Sequence, residues 1–454
     1  MRRLSYAILG STVLFATFLH AQTIGVSCPQ FFKDGHQRIA CVEALLSQDD
    51  YHFTLASLPP SNGFGLGLVL MHSFKSTKSD NEVDLSVTAA GTTNNSWYTG
   101  GDIVWSLPFR TSETDGNEAK LASATEKNWH QTAFHFQVAH QSVKTLYFYG
   151  IGSRAPATAY VYAEDDTWEK LSGRLPISHH IVLVAENGVQ ATNLPMSSDP
   201  SAITANVPSS QVPGIDHQPT MLETNVGLQT RALKRISHEI EKLPKGGTPH
   251  LQPLSQFLFE NDATVQWDHP LDGSQLAFRQ FRFDGDEKLN LRAWLRNSFV
   301  PAQHPFVYHV LCQDSNKQTD ECNLGQFDVR SRLILSGTPA NNQVPFYLQP
   351  TLGGSDIDNN VTLRGWDNYR FRGRDAALLQ FESNFVAWDP FGVYLFYDAG
   401  GVGQNAGDLS LAHLRQDAGA GASLRIQGSI VAQTYYAWGA GHGGRWGYNF
   451  AKVF

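Results

Sequence analysis

Two runs late in the chain change character at every residue. In Leu378–Phe385, Leu379, Phe381 and Phe385 fall on one side, while Gln380, Glu382 and Asn384 fall on the other. In Val393–Asp398, Val393, Leu395 and Tyr397 oppose Tyr394, Phe396 and Asp398. Side chains of an extended strand point alternately to its two faces, so both runs predict strands with one apolar and one wet face. Ahead of them, between Leu352 and Ala376, lies a loop rich in Gly, Asp and Arg, with Arg364 near its middle. A cationic loop followed by two strands that each carry an acid predicts a charge clamp.

The same period governs most of the chain from Gly63 onward. Phe64, Leu66, Leu68 and Leu70 share one face, with Gly63, Gly65 and Gly67 opposite, and this run reads as a first strand. Further strands are expected at 82–90, 97–107, 132–139, 146–152, 157–163, 181–185, 224–232, 252–267, 274–283, 288–299 and 326–335. Five more follow the Arg364 loop, the last being Trp446–Phe454. In 288–299 and 326–335 arginines recur on the face opposite the apolar one. An aqueous lumen accommodates such a face and a dry sandwich core does not. Residues 195–219 read as a surface loop, and 234–245 as a short amphipathic helix or a polar excursion. The segment 301–325 is an enlarged turn or an extra hairpin.

Charged residues make up only 17% of the chain, against about a quarter in soluble domains. That deficit fits a second apolar surface facing lipid. A negative mean hydropathy does not oppose it, because lipid-facing residues of a barrel come only every second position. The net charge of -8 and the absence of a clustered basic helix remove support for nucleic-acid binding. Residues 1–21 carry Arg2 and Arg3, a short apolar run and Ala21, the pattern of a secretory signal; 22–54 read as a short periplasmic lead and 55–454 as the barrel. Four cysteines in an exported chain suggest disulfides, and the local pairs Cys28–Cys41 and Cys312–Cys322 are favoured among three connectivities.

Taken in order, LGG…LRGW…RFRGRD…LLQFESNF…LFYDAGGV resembles the C-terminal half of the bacterial surface antigen (BamA/TamA-like) family of outer-membrane assembly barrels. The resemblance implies an all-β, transmembrane antiparallel β-barrel of about sixteen strands with a loop folded back into the lumen. It places the loop motif at Leu363, Arg364, Gly365 and Trp366, and the acids that meet Arg364 at Glu382 and Asp398. It implies a C-terminal insertion signal at Tyr448, Phe450 and Phe454, and a motif for entry into a loop at 146–152. Residues 22–54 are too few for the periplasmic POTRA modules usual in that family.

The function implied is outer-membrane protein assembly, insertion or translocation; the alternative is a passive channel or structural surface barrel. Partners expected are outer-membrane lipid, and unfolded outer-membrane proteins or a separate periplasmic protein. No catalytic motif, cofactor site or metal site is expected. Adjacent strand residues such as His179 and His180 point to opposite faces and chelate poorly, and Asp165–Asp166 and Asp49–Asp50 read as solvated turn residues. Aromatic residues fit interfacial girdles better than a sugar platform.

Overall fold

Alternation along the sequence becomes alternation across one sheet. The computed structural model describes residues 51–454 apart from 57, 77–80, 109–130, 198, 238–252, 291–326, 340–341, 389–390, 411–412, 427–428, 440–442 and 451–454. Its first strands are β1 (Tyr51–Ala56), β2 (Gly65–Lys75), β3 (Glu82–Thr92), β4 (Trp97–Pro108), β5 (Gln131–Phe148) and β6 (Tyr160–Ser178). Then come β7 (Ile181–Asn193), β8 (Met221–Ser237), β9 (Pro253–Pro270), β10 (Phe278–Asn290), β11 (Phe327–Gly337), β12 (Thr351–Leu352) and β13 (Phe371–Arg372). The last are β14 (Asp375–Trp388), β15 (Phe391–Gly403), β16 (Arg415–Ile426), β17 (Ser429–Gly439) and β18 (Gly443–Phe450). One 16-stranded sheet takes them in chain order, skipping only β12 and β13, which pair with each other inside the loop before β14.

That sheet is rolled into a barrel. Laid flat, sixteen strands about 4.8 Å apart would stretch roughly 75 Å, yet one short segment of the loop reaches both ends and the middle. The Tyr369 hydroxyl donates to the Pro60 carbonyl at 2.7 Å, just before β2. The Asn368 amide donates to Ser61 Oγ at 3.3 Å and accepts from the Arg445 guanidinium of β18 at 3.2 Å. Arg372 donates to the Tyr162 hydroxyl of β6 at 2.8 Å. A cylinder with the loop inside satisfies all four contacts. Rolling also removes the unpaired strand edges that lipid does not tolerate.

Which face meets lipid follows from exposure. Phe64 just before β2, Leu66 of β2, Ile103 and Trp105 of β4, Phe134 and Phe136 of β5, and Leu171 and Leu175 of β6 are all exposed. Leu333 and Leu335 of β11, Phe381 of β14, and Val393 and Leu395 of β15 continue the belt around the wall. A soluble monomer does not expose a continuous apolar band of this extent, whereas a membrane barrel requires one. No helix among the described residues is long and apolar enough to cross a membrane. Four strands, β5, β6, β8 and β9, run for 17 to 19 residues, beyond the roughly 9–11 that span a bilayer. Their surplus builds a wall around the loop.

Several expectations need correction. The Gly-rich run is the second strand, not the first, because Tyr51–Ala56 precedes it in the sheet. Residues 132–139 and 146–152 lie largely in one strand, β5, whose register slips between Val143 and Leu146. Lys288–Asn290 continue β10 and Lys234–Ser237 continue β8 as strand, while the rest of 288–299 and of 234–245 lies outside the described residues. Asp165 and Asp166 sit inside β6, where Thr192 donates to Asp166 and Ser142 to Asp165. Period-two reading misplaced these boundaries because a bulge or a polar lumen-facing residue looks, in sequence, like a turn.

Asn368→Ala should release the tie between Ser61 and Arg445. Losing about 1–2 kcal/mol of buried amide hydrogen bonding is expected to speed amide exchange in Gly443–Phe450 roughly five- to thirtyfold, measured by hydrogen–deuterium exchange in detergent.

Candidate functional site

The loop between β11 and β14 folds inward and packs a core of its own. Leu352, Leu363, Trp366 and Phe371 bury themselves against Ala376 and Leu378 of β14 and Val402 of β15. Trp366 and Phe371 stack edge to face with centroids 5.0 Å apart. Gly365 is required by close approach: a Cβ there would stand 2.7 Å from Asp417 Cβ and 2.9 Å from the Gly439 nitrogen. The loop backbone therefore rests directly on the wall at β16 and β17.

Beside that contact Arg364 meets two carboxylates. Its Nε donates to Asp398 Oδ2 at 2.9 Å and its Nη2 to Asp398 Oδ1 at 3.1 Å, a two-pronged contact. Its Nη1 donates to Glu382 Oε2 at 2.7 Å, and its backbone N–H reaches Asp398 at 3.3 Å. Arg364 is only 4% exposed and Asp398 0%. The planar fork lets one guanidinium serve two acids, which a lysine point charge does not reproduce. Phe396 carries the guanidinium 3.9 Å above its ring centre, and its own ring lies flat against the next strand because that strand presents Gly419. A third buried carboxylate, Asp417, pairs in register with Asp398 and was not singled out in the sequence.

A second anchor holds the other side of the loop. Arg372, 1% exposed, donates to the Phe346 carbonyl and the Tyr162 hydroxyl and lies among the rings of Phe148, Tyr162 and Phe346. Arg370 donates to the Ala155 carbonyl at 2.8 Å, and Arg374 Nε to the Gln404 carbonyl at 2.8 Å. Gly152, in the turn after β5, donates to the Arg372 carbonyl at 2.7 Å. The signal was present in RFRGRD: arginines at every second position all need partners on one side of an extended chain.

Residues 195–219, expected as a plain surface loop, close over the same loop. They form helix α1 (Ile203–Asn206), and Ile203, Val212 and Ile215 bury against Phe346 and Tyr347. Phe346 N–H donates to the Pro213 carbonyl at 2.8 Å. Composition hid this because three buried apolar residues among many polar ones suffice to pin a lid. Alongside the plug a cavity of about 720 Å³ remains, walled by β6 and β8–β11.

Other predicted positions lie elsewhere. His179 and His180 form the turn after β6, where the His180 ring meets the Arg231 carbonyl. Among the described residues no group of His, Cys, Asp or Glu is placed to hold a metal. Tyr448 is exposed on β18, which ends at Phe450. Phe454, Asp49–Asp50, the signal segment and all four cysteines lie outside the described residues.

No family model matches the sequence, and no curated protein does. Among solved structures the chain is similar to BamA from Haemophilus ducreyi lacking POTRA domains 1-3, at 10% identity and a TM-score of 0.48 over 88% of this chain and 70% of that one. It is similar to CdiB from Escherichia coli at 11% identity and a TM-score of 0.44, covering 88% of this chain and 61% of that one. For CdiB from Acinetobacter baumannii the values are 11% and 0.43, with 86% and 55% covered. The chain thus spans less than two thirds of either CdiB.

Arg364→Ala leaves Asp398 buried without its cation, which costs roughly 3–5 kcal/mol. Limited proteolysis should then cut near Tyr369 at protease levels that spare the parent. Glu382→Gln should cut far less, because Arg364 keeps both contacts to Asp398.

Proposed function

We propose that this protein is a barrel-only member of the bacterial surface antigen superfamily, placed in the bacterial outer membrane, acting in assembly or translocation of proteins there. The observation that carries the reading is Arg364 held inside the barrel by Glu382 and Asp398. Those are the residues that the sequence motif designates, and the plug they fix is the feature that sets this family apart from open pores. A pinned plug keeps the lumen shut while leaving a tether whose release changes the barrel. No step of the activity is catalytic.

A Gly-rich strand supports the role less than its sequence suggests, since it lies one place in from the sheet edge. A tie through Asn368 does the work at the ends of the sheet instead, joining residues near β2 and on β18. Templating an incoming strand requires that tie to open.

The second reading is a passive channel, favoured by the cavity beside the plug. Purified protein in liposomes distinguishes the two. An assembly role predicts that it speeds folding of a second, unfolded outer-membrane barrel severalfold over empty liposomes, followed by heat-dependent gel mobility. Equal folding rates with and without the protein, together with a steady ion current, would leave the channel.

A further inference from the structure

Two guanidinium groups, one from the plug and one from the wall, share a single aromatic ring. Arg370 belongs to the plug and Arg415 opens β16. Their Cζ atoms lie 5.1 and 5.7 Å from the ring centre of Phe371. Tyr149 flanks the first at 5.0 Å and Trp366 the second at 5.5 Å. Both also reach the turn after β5, where Arg370 Nη2 donates to the Ala155 carbonyl at 2.8 Å and Arg415 Nη2 to the Ser153 carbonyl at 3.1 Å. Arg154, between those two residues, is exposed.

These arginines are short of acid. Among the described residues neither has a carboxylate at ion-pair distance. Asp367 faces Arg370 across a longer gap, but its side chain is 67% exposed and lies 3.7 Å from Arg445 Nη1. Arg370 Nη1 and Arg415 Nε are shut off from solvent without a hydrogen-bond acceptor, and Arg370 as a whole is only 8% exposed. A sealed cationic N–H with no acceptor is costly, and two like charges held against one ring repel. Arg364 meets the same demand with Asp398 and Glu382; this pair has no such acids.

We propose that Arg370 and Arg415 bind one phosphate group between them, and that the bound phosphate joins the plug to β16. Guanidinium forks match phosphate oxygens, and stacking on rings fixes the planes of the forks in advance. Several oxygens on one centre let a single phosphate accept from both groups, with Arg154 at the entrance. The same chemistry serves a free phosphate and a lipid headgroup. The inference rests on the inward placement of the plug and not on the assembly role.

The test is equilibrium dialysis of radiolabelled inorganic phosphate against the full protein, folded in a maltoside detergent at constant ionic strength. Saturable binding of one phosphate per chain is expected. Arg370→Gln and Arg415→Gln should each weaken it about tenfold or more, since each removes charge-assisted bonds to the ligand. Arg415→Lys should recover only part of that loss, because a point charge does not replace a fork. Lys75→Gln, which removes a surface cation paired with Glu82, should leave binding unchanged. Gel mobility before and after boiling checks that each variant is folded. Liposomes of phosphatidylcholine with and without phosphatidic acid separate the two sources. Phosphatidic acid displaces the label where a lipid headgroup takes the site, and leaves it bound where free phosphate does. No saturable binding in the folded parent, or parental affinity in the folded Arg370→Gln and Arg415→Gln variants, overturns the proposal. The folding assay reads the assembly role separately, so either can fail alone.

Discussion

A guanidinium and a carboxylate, both nearly sealed from solvent, sit at the point where the inward loop touches the wall. Either one alone in that place is a buried charge with no counter-ion, and the protein would expel it. Together, with Glu382 as the second acid and Phe396 beneath, they make the inward position of the loop the stable one. The rest of the interior is arranged around that fact. Gly365 brings the backbone against β16 and β17, and Trp366 fills the space that the close approach leaves. Removing the charge pair would leave the plug held by its apolar core and by the Arg372 anchor on the other side.

The loop is held from two sides. Arg364 fastens it to β14 and β15, and Arg372 fastens it to β5 and β6, six to eight strands away around the sheet. A tether at one wall leaves a hinge; tethers at opposite walls make a strut. Asn368, lying between them, joins the turn before β2 to β18. Plug position and the meeting of the sheet's two ends are therefore one mechanical system. The lid over 195–219 adds an apolar seal above it through Ile203 and Val212.

Division of the lumen follows from the same placement. The plug takes the side of β14–β16 and the upper parts of β5 and β6, which leaves the face of β8–β11 to water. Ion pairs along the cavity there satisfy one another across strands. The loop also reaches that side, where Val344 buries against Met221 of β8 and Phe278 of β10.

Alternation at Leu378–Phe385 and Val393–Asp398 was enough to declare strands, their lipid face and their lumen face, since side-chain direction in a strand is set by position alone. The meeting of Arg364 with Glu382 and Asp398 was legible through the resemblance of the loop and strand motifs, since charge placement alone does not say which arginine of the loop meets which acid. Strand ends were not legible: the bulge in β5 and the polar interior of β6 mimic turns when read one residue at a time. Nor were the partners that Arg372 finds, Asp417, the folded lid or the tie at Asn368, each of which depends on residues brought together from other parts of the chain. The sequence by itself determined which way each side chain of a strand would face. Only the tertiary structure decided which strands, loops and ends would share an interior, because closing a sheet on itself creates neighbours that no local pattern contains.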